Sequence, residues 1–305
     1  MVSRALPPLW SGGNLLDPDE RCFGFLRSSN DVLDDAGALR QRVRDDGYLF
    51  LPGFLDREDV RSARIAICES LAEEGCFDPN FPIEQAIARE GIDMSFRPDL
   101  ANASEPLKKL IYCERVMSFY DFFLGGKARH YDFTWMRAIS PGNGSDPHCD
   151  IVYMGRGTPN VYTAWVPLGD IPLETGGLII LENSHRDDEL KNSYGKMDVD
   201  TACENSGAQS QTNAHGFPGF GTLSQDAPGL REQMGGRWLT AAEYRMGDFL
   251  TFPMFTVHAS LDNHSKEIRL SSDSRYQLAS EPIDERWVGE NPPGHGGKMV
   301  KGMIC

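Results

Sequence analysis

A mainly β fold, a sandwich or barrel with helices packed beside it, is what this chain predicts. Two observations carry that expectation. From residue 130 onward, short strand-like runs follow one another closely, separated by Gly, Pro and Asn turns. Before that point, apolar residues fall at helical spacing around one short buried strand. The length, 305 residues, suits one large β-rich domain with insertions.

The elements read in order as follows. Residues 1–30 are rich in Pro, Gly and charge and predict an arm lying on the surface. Val32, Leu33, Leu39 and Val43 then sit near helical spacing, and Gly47 stops that helix. "YLFLPGF" predicts a buried strand ended by Pro52-Gly53. Asp56 is a good N-cap for a second helix running to about Ala72. Residues 105–125 predict one further helix, so 31–128 form a helix-and-strand support. The β core spans 129–280. Its strands are "HYDFTWMRAIS", "NVYTAWVPLGDI", "GGLIILENSH", two short ones in "DFLTFPMFTVHASLDN", and "IRLSSDSRYQLA". Residues 186–246 are Gly-rich and polar with weak periodicity, too long for a plain connection, and predict a lid or surface insertion. Residues 281–305 form a C-terminal tail, and the whole is one domain.

Composition excludes several functions. The net charge is −15, from 30 basic and 45 acidic residues, which argues against a nucleic-acid partner. No run of 18 apolar residues is present, so no membrane span is expected. "MVSRALPPLW" lacks the apolar core of a signal peptide. Seven cysteines (22, 68, 76, 113, 149, 203 and 305) form no CxxC pair, which fits reduced thiols in a cytoplasm better than a structural zinc site.

The chemistry sits in "DPHCDIVY", residues 146–153. In an extended segment, residues i and i+2 face the same side, so His148 and Asp150 can share one metal while Cys149 points away. An HxD pair alone is commonly a surface pair. His258, 108 residues after Asp150 (258 − 150), ends the apolar run "FPMFTVH". By itself it reads as a core histidine bonded to backbone. Together, two His and one carboxylate on two strands match the facial triad of non-haem Fe(II) oxygenases. Arg269 follows His258 by 11 positions (269 − 258), with Ser271 two residues on, facing the same way. An arginine entering a β core needs an anion. The pair suits the far carboxylate of a dicarboxylic cosubstrate; the alternative is an internal salt bridge.

The pattern HxD, a distant His, then Arg eleven positions on, resembles the phytanoyl-CoA dioxygenase family of Fe(II)/2-oxoglutarate oxygenases. "DGYLFLPGFLDREDV", "YTAWVPLGDIPLETGGLIILENSHR" and "YRMGDFLTFPMFTVHASLDNHSKEIRLSSDSRYQ" are similar to the family's segments, and the likeness covers roughly 31–280. The resemblance implies a double-stranded β-helix (jelly-roll, cupin-like) core with flanking helices. It implies that His148, Asp150 and His258 ligate Fe(II), and that Arg269, with Ser271, pairs with 2-oxoglutarate. Thr163 and Trp165 match the family's T-x-W strand and would line the cosubstrate pocket. Tyr131, Trp135, Arg137 and Tyr153 are candidates for cosubstrate or substrate contact. His185 stands where the family has Gly-Ser-His and would cap a helix or order a loop. His130, His215, His264 and His295 are expected at the surface. O2 would be the second cosubstrate, succinate and CO2 the coproducts. Related halogenases lack the carboxylate that Asp150 supplies, so hydroxylation, desaturation or ring closure is favoured over halogenation. The chain offers no clustered basic patch for an acyl-CoA, which leans toward a smaller metabolite. The competing reading is a cupin-like protein that holds a metal or small molecule without turnover. The sequence leaves the oligomeric state open.

Overall fold

The protein is described by a computed structural model covering residues 6–200 and 221–295. Two β-sheets face each other and helices cover one of them. The major sheet runs in the order Leu49–Leu51, Phe249–Pro253, Tyr162–Pro167, Arg269–Leu278, Ala128–His130, with Trp135–Ile139 also paired to Arg269–Leu278. The minor sheet runs His258–Ser260, Leu178–Leu181, Trp238–Thr240, Phe23–Phe25. This is the predicted jelly-roll, mainly β with helices beside it.

Period-2 alternation assigns each strand's two faces. On the major sheet, Met136, Ala138, Ala164, Val166, Phe249, Leu270 and Tyr276 turn outward into a core shared with the helices. Those helices are Ala36–Asp46, Arg57–Glu73, Pro98–Ala103, Glu105–Ile111 and Glu114–Leu124. Leu39, Val60, Ile67 and Leu71 are fully buried there, each contributing about 1.5–3 kcal/mol by leaving water. The opposite faces turn into the space between the sheets. Trp165, Leu250 and Phe252 meet Ile180 and Leu239 of the minor sheet there. On the longest strand that inner row is Arg269, Ser271, Asp273 and Arg275, every one of them buried. A polar row inside a barrel is costly unless each group has a partner or a ligand.

The N-terminal elements follow the sequence closely. Asp35 and Asp56 cap the first two long helices through their carboxylates. Gly47 ends the first in a left-handed conformation, φ +79°, where a Cβ would come 2.3 Å from His185 Nδ1. His185 Nε2 in turn bonds the carbonyl of Arg44, in the last turn of that helix, at 3.0 Å, so this His caps a helix end, one of the two roles expected of it. Gly47→Ala therefore meets both backbone strain and a collision. It is expected to destabilise by about 1–3 kcal/mol, read as a lower denaturant midpoint at unchanged slope.

Four expectations need correction. The helix expected over 105–125 is two helices, broken at Tyr112 and Cys113; the Tyr112 hydroxyl is held by Tyr131 O at 3.1 Å and Thr134 Oγ1 at 2.6 Å. The N-terminal arm is not merely laid on the surface. Phe23–Phe25 pairs in parallel with Trp238–Thr240, and Leu9, Leu16 and Phe23 are buried. The range 186–246 is not all insertion. Trp238–Thr240 is a strand of the minor sheet, and Glu243–Tyr244 pairs with Ile171–Pro172. Its weak periodicity hid a fully buried strand, which shows no alternation. Residues 201–220, with His215 and most of the "HGFPGFG" run, lie outside the described residues, as do Cys305 and the end of the tail. Finally, the single strand expected over "HYDFTWMRAIS" starts only at Trp135, after the separate strand Ala128–His130, so Tyr131 falls between the two. Among the described residues, no helix is long and apolar enough to cross a membrane.

Candidate metal centre and cosubstrate pocket

His148 and His258 form an antiparallel bridge, exchanging two backbone hydrogen bonds of 3.0 Å each. That reciprocal pairing sets the two rings side by side, with centroids 4.3 Å apart. Each ring is tied at Nδ1 to a backbone carbonyl: His148 to Asp146 O at 2.7 Å, His258 to Thr256 O at 3.0 Å. Nδ1–H donates there, which leaves the Nε2 lone pair for a metal. Burial, then the neighbouring His258, pushes His148 down to about 3, and burial also lowers His258. Both rings are neutral near pH 7, as metal ligation requires.

Asp150 completes the cluster, whose three ligating atoms lie within 4.8 Å of one another, all buried. The geometry differs from the extended run assumed from sequence. Asp150 has helical dihedrals, φ −67° and ψ −23°, and starts the short helix Ile151–Met154. The chain turns directly after the bridge, and that turn swings the carboxylate back toward the His pair. Burial alone would raise the Asp150 pKa. Arg275 above all, then the two His and Thr163, hold it well below the usual carboxylate range. Cys149 faces elsewhere: its thiol donates to Phe255 O at 3.4 Å, and burial keeps it protonated.

The second half of the site is Arg269. It is 2% exposed, yet Nε and Nη2 find no hydrogen-bond partner among the described residues, and neither does Ser271 Oγ. Burial and the nearby Arg137 lower its pKa to about 9, which still leaves it charged at neutral pH. A buried, unpaired guanidinium costs several kcal/mol unless an anion meets it. Arg269, Trp165, Leu178 and Asp273 share one cavity with His148 and His258. The donors are therefore right for a carboxylate at one end and a metal at the other.

The remaining candidates separate clearly. Trp165 lines that cavity. Thr163 does not: its hydroxyl donates to Asp150 Oδ2, so it bears on the carboxylate and not on the pocket assigned to it from sequence. Arg137 pairs with Asp273 at 2.9 Å and lines both this cavity and a wider one. The wider cavity, about 220 Å³, is walled by Phe96, Trp135, Tyr153 and Arg275 and opens on His148 and Asp150. Tyr131 lines neither cavity; it is buried in the core with Trp135 and Trp287.

Two residues escaped the sequence reading. Arg275 lies 3.1 Å from Asp150 Oδ2. Its signal was the inward i+2 spacing from Arg269, Ser271 and Asp273. His295, expected at the surface, is half-buried on the rim of the wider cavity, with Nδ1 2.9 Å from Asp200 Oδ1. No local pattern announces it, because Asp200 and the neighbouring Trp287 reach it only through the fold. Of the other histidines expected at the surface, His264 is exposed, and His130 is half-buried and stacked on Tyr112.

The model of the phytanoyl-CoA dioxygenase family matches residues 43–271. This chain belongs to that family. Among curated relatives, the 1-deoxypentalenic acid 11-beta-hydroxylase of Streptomyces exfoliatus is 27% identical over 264 residues, covering 82% of this chain and 83% of the relative. The enzyme of the same name from Streptomyces arenae is 27% identical over 273 residues, covering 85% and 87%. Among solved structures, the epimerase SnoN in complex with Fe3+, alpha ketoglutarate and nogalamycin RO superposes with a TM-score of 0.56 at 21% identity, covering 87% of this chain and 97% of that one. EctD from S. alaskensis gives 0.56 at 18% identity, covering 91% and 89%. These structures share the fold. The family makes the chain an iron- and 2-oxoglutarate-type oxygenase.

Proposed function

We propose that this phytanoyl-CoA dioxygenase family member uses Fe(II), 2-oxoglutarate and O2 to hydroxylate, or otherwise oxidise, an aliphatic C–H bond of a small organic metabolite, releasing succinate and CO2. One observation carries the reading: a buried Arg269, whose Nε and Nη2 have no hydrogen-bond partner among the described residues, shares a cavity with two neutral, oriented histidines whose third companion is Asp150. Iron bound by His148, Asp150 and His258 would supply the oxidative chemistry. Arg269 and Ser271 would hold the far carboxylate of 2-oxoglutarate, and Trp165 would wall its carbon chain. The substrate would enter the wider cavity against Phe96, Trp135 and Tyr153.

That cavity is small for a ligand site, which supports a small metabolite over an acyl-CoA thioester. Both of its arginines are already paired, Arg137 with Asp273 and Arg275 with Asp150, which supports an uncharged substrate. The names of the curated relatives support hydroxylation. Retention of Asp150 supports oxidation over halogenation. The unbridged Cys22, Cys68, Cys76, Cys113 and Cys149 support a reducing, cytoplasmic setting.

The decisive test is anaerobic addition of Fe(II) and 2-oxoglutarate. A visible charge-transfer band of the chelate is expected. Metal binding without that band at saturating cosubstrate would favour the non-catalytic cupin-like reading instead. A succinate-release screen over a metabolite panel, with mass spectrometry for one added oxygen, then finds the substrate.

A further inference from the structure

The two oxygens of Asp150 are not equivalent. Oδ2 receives the Thr163 hydroxyl and lies 3.1 Å from Arg275 Nη2. Oδ1 has the metal side to itself, 3.9 Å from His258 Nε2. The fold builds this difference deliberately into one sheet. Arg275 and Thr163 stand directly opposite each other in the antiparallel register of the strands Arg269–Leu278 and Tyr162–Pro167. Arg275 is 1% exposed, and its guanidinium carbon lies 4.4 Å from the Trp135 ring centroid, so cation–π packing limits its reach to the one carboxylate. The Arg275 contact is an ion pair, with Nη1 3.5 Å from Ser274 O, so the hydrogen bond on Oδ2 is the one from Thr163.

We propose that Arg275 and Thr163 are positioning residues that occupy Oδ2 and so restrict Asp150 to a single metal-facing oxygen. The inference rests on the iron and 2-oxoglutarate reading above. Its reason is coordinative. A carboxylate that chelates through both oxygens takes two positions at a metal, and 2-oxoglutarate needs two for itself. Keeping Oδ2 engaged reserves a position for the cosubstrate. A cation this close to a metal also repels it, so the arginine is a poor device for raising metal affinity and a good one for constraining the ligand.

The pattern expected of substitutions is therefore selective. Arg275→Gln and Thr163→Val should bind Mn(II) within about threefold of the parent protein, followed by the loss of the free Mn(II) resonance signal. The same Mn(II)-loaded variants should bind 2-oxoglutarate about tenfold or more weakly by calorimetry, a loss of about 1.4 kcal/mol or more. Thr163→Ser should restore the parent affinity. Arg275→Lys, which keeps the charge without the fork, should fall between. Thr163→Val is nearly isosteric, so the test stands even if the arginine variant fails to fold. Unchanged 2-oxoglutarate affinity in both variants would overturn the proposal. So would Mn(II) and 2-oxoglutarate affinities falling together. So, too, would a loss seen only in Arg275→Gln and fully recovered by Arg275→Lys, because that marks charge alone. If the unsubstituted protein itself bound Mn(II) but no 2-oxoglutarate, the functional reading would fail first.

Discussion

A His258→Ala variant is expected to lose the anaerobic Fe(II)/2-oxoglutarate absorption band completely and to show no succinate release. On the proposed assignment His258 would contribute one of three protein ligands, and its Nε2 is aimed by the Nδ1 bond to Thr256 O. Removing it leaves two ligands, for an affinity loss of more than about 100-fold, or about 3 kcal/mol. The choice of this residue over Asp150 is physical. Asp150→Ala would leave Arg275 buried beside no anion, and breaking a buried pair costs about 3–5 kcal/mol of stability. Loss of activity would then be confounded with loss of fold. At His258 the reciprocal bonds to His148 are backbone bonds and survive the change. A variant that melts like its parent and keeps the band would sink the assignment of His258.

What could be foreseen at this site depended on how local its signals are. His148, Asp150, His258 and Arg269 carry their meaning in spacing and residue type, because metal and anion chemistry allow few alternatives in a β core. The reason they converge was not visible. The i, i+2 argument assumed an extended segment, whereas Asp150 begins a helical turn. Thr163 faces the site as its strand parity requires, yet its partner is the Asp150 carboxylate, a contact decided by how the turn after His148 folds back. His295 and Asp200 stand far apart in the chain and join through a tertiary network with Arg286.

The fold shows the same division. Helices with caps and a regular apolar stripe, such as Arg57–Glu73 behind Asp56, were legible nearly to the residue. Trp238–Thr240 was not, because a three-residue strand buried on both faces has no period to read. Nor was its parallel partner Phe23–Phe25, in a segment whose Pro and Gly content suggested an arm. Parallel pairing over more than two hundred residues leaves no local trace.

The remaining large effect lies at Arg269, and its sign is unusual. Arg269→Met is expected to abolish 2-oxoglutarate binding while the metal-free, cosubstrate-free protein becomes no less stable than its parent. In the parent, the guanidinium is buried with two of its nitrogens unpartnered, and Arg137 adds repulsion that Asp273 offsets only in part. Methionine of similar length fills the space without that cost, and replacing even a buried ion pair by packed apolar volume is often neutral or stabilising by about 1–4 kcal/mol. The parent should instead gain stability from the ligand: with metal present, 2-oxoglutarate at 100 times its dissociation constant adds about 2.7 kcal/mol. The melting temperature of the parent should therefore rise steeply with 2-oxoglutarate, and that of the variant should start at or above the parent's and stay flat. Metal affinity, which the proposed ligands His148, Asp150 and His258 would set, should move little. A variant that melts lower than its parent without ligands would mean that Arg269 is a structural residue with a partner inside the protein. A variant still stabilised by 2-oxoglutarate would place the cosubstrate carboxylate elsewhere. Only an arginine kept unpaired for an incoming anion gives both a stable empty protein and a silent titration.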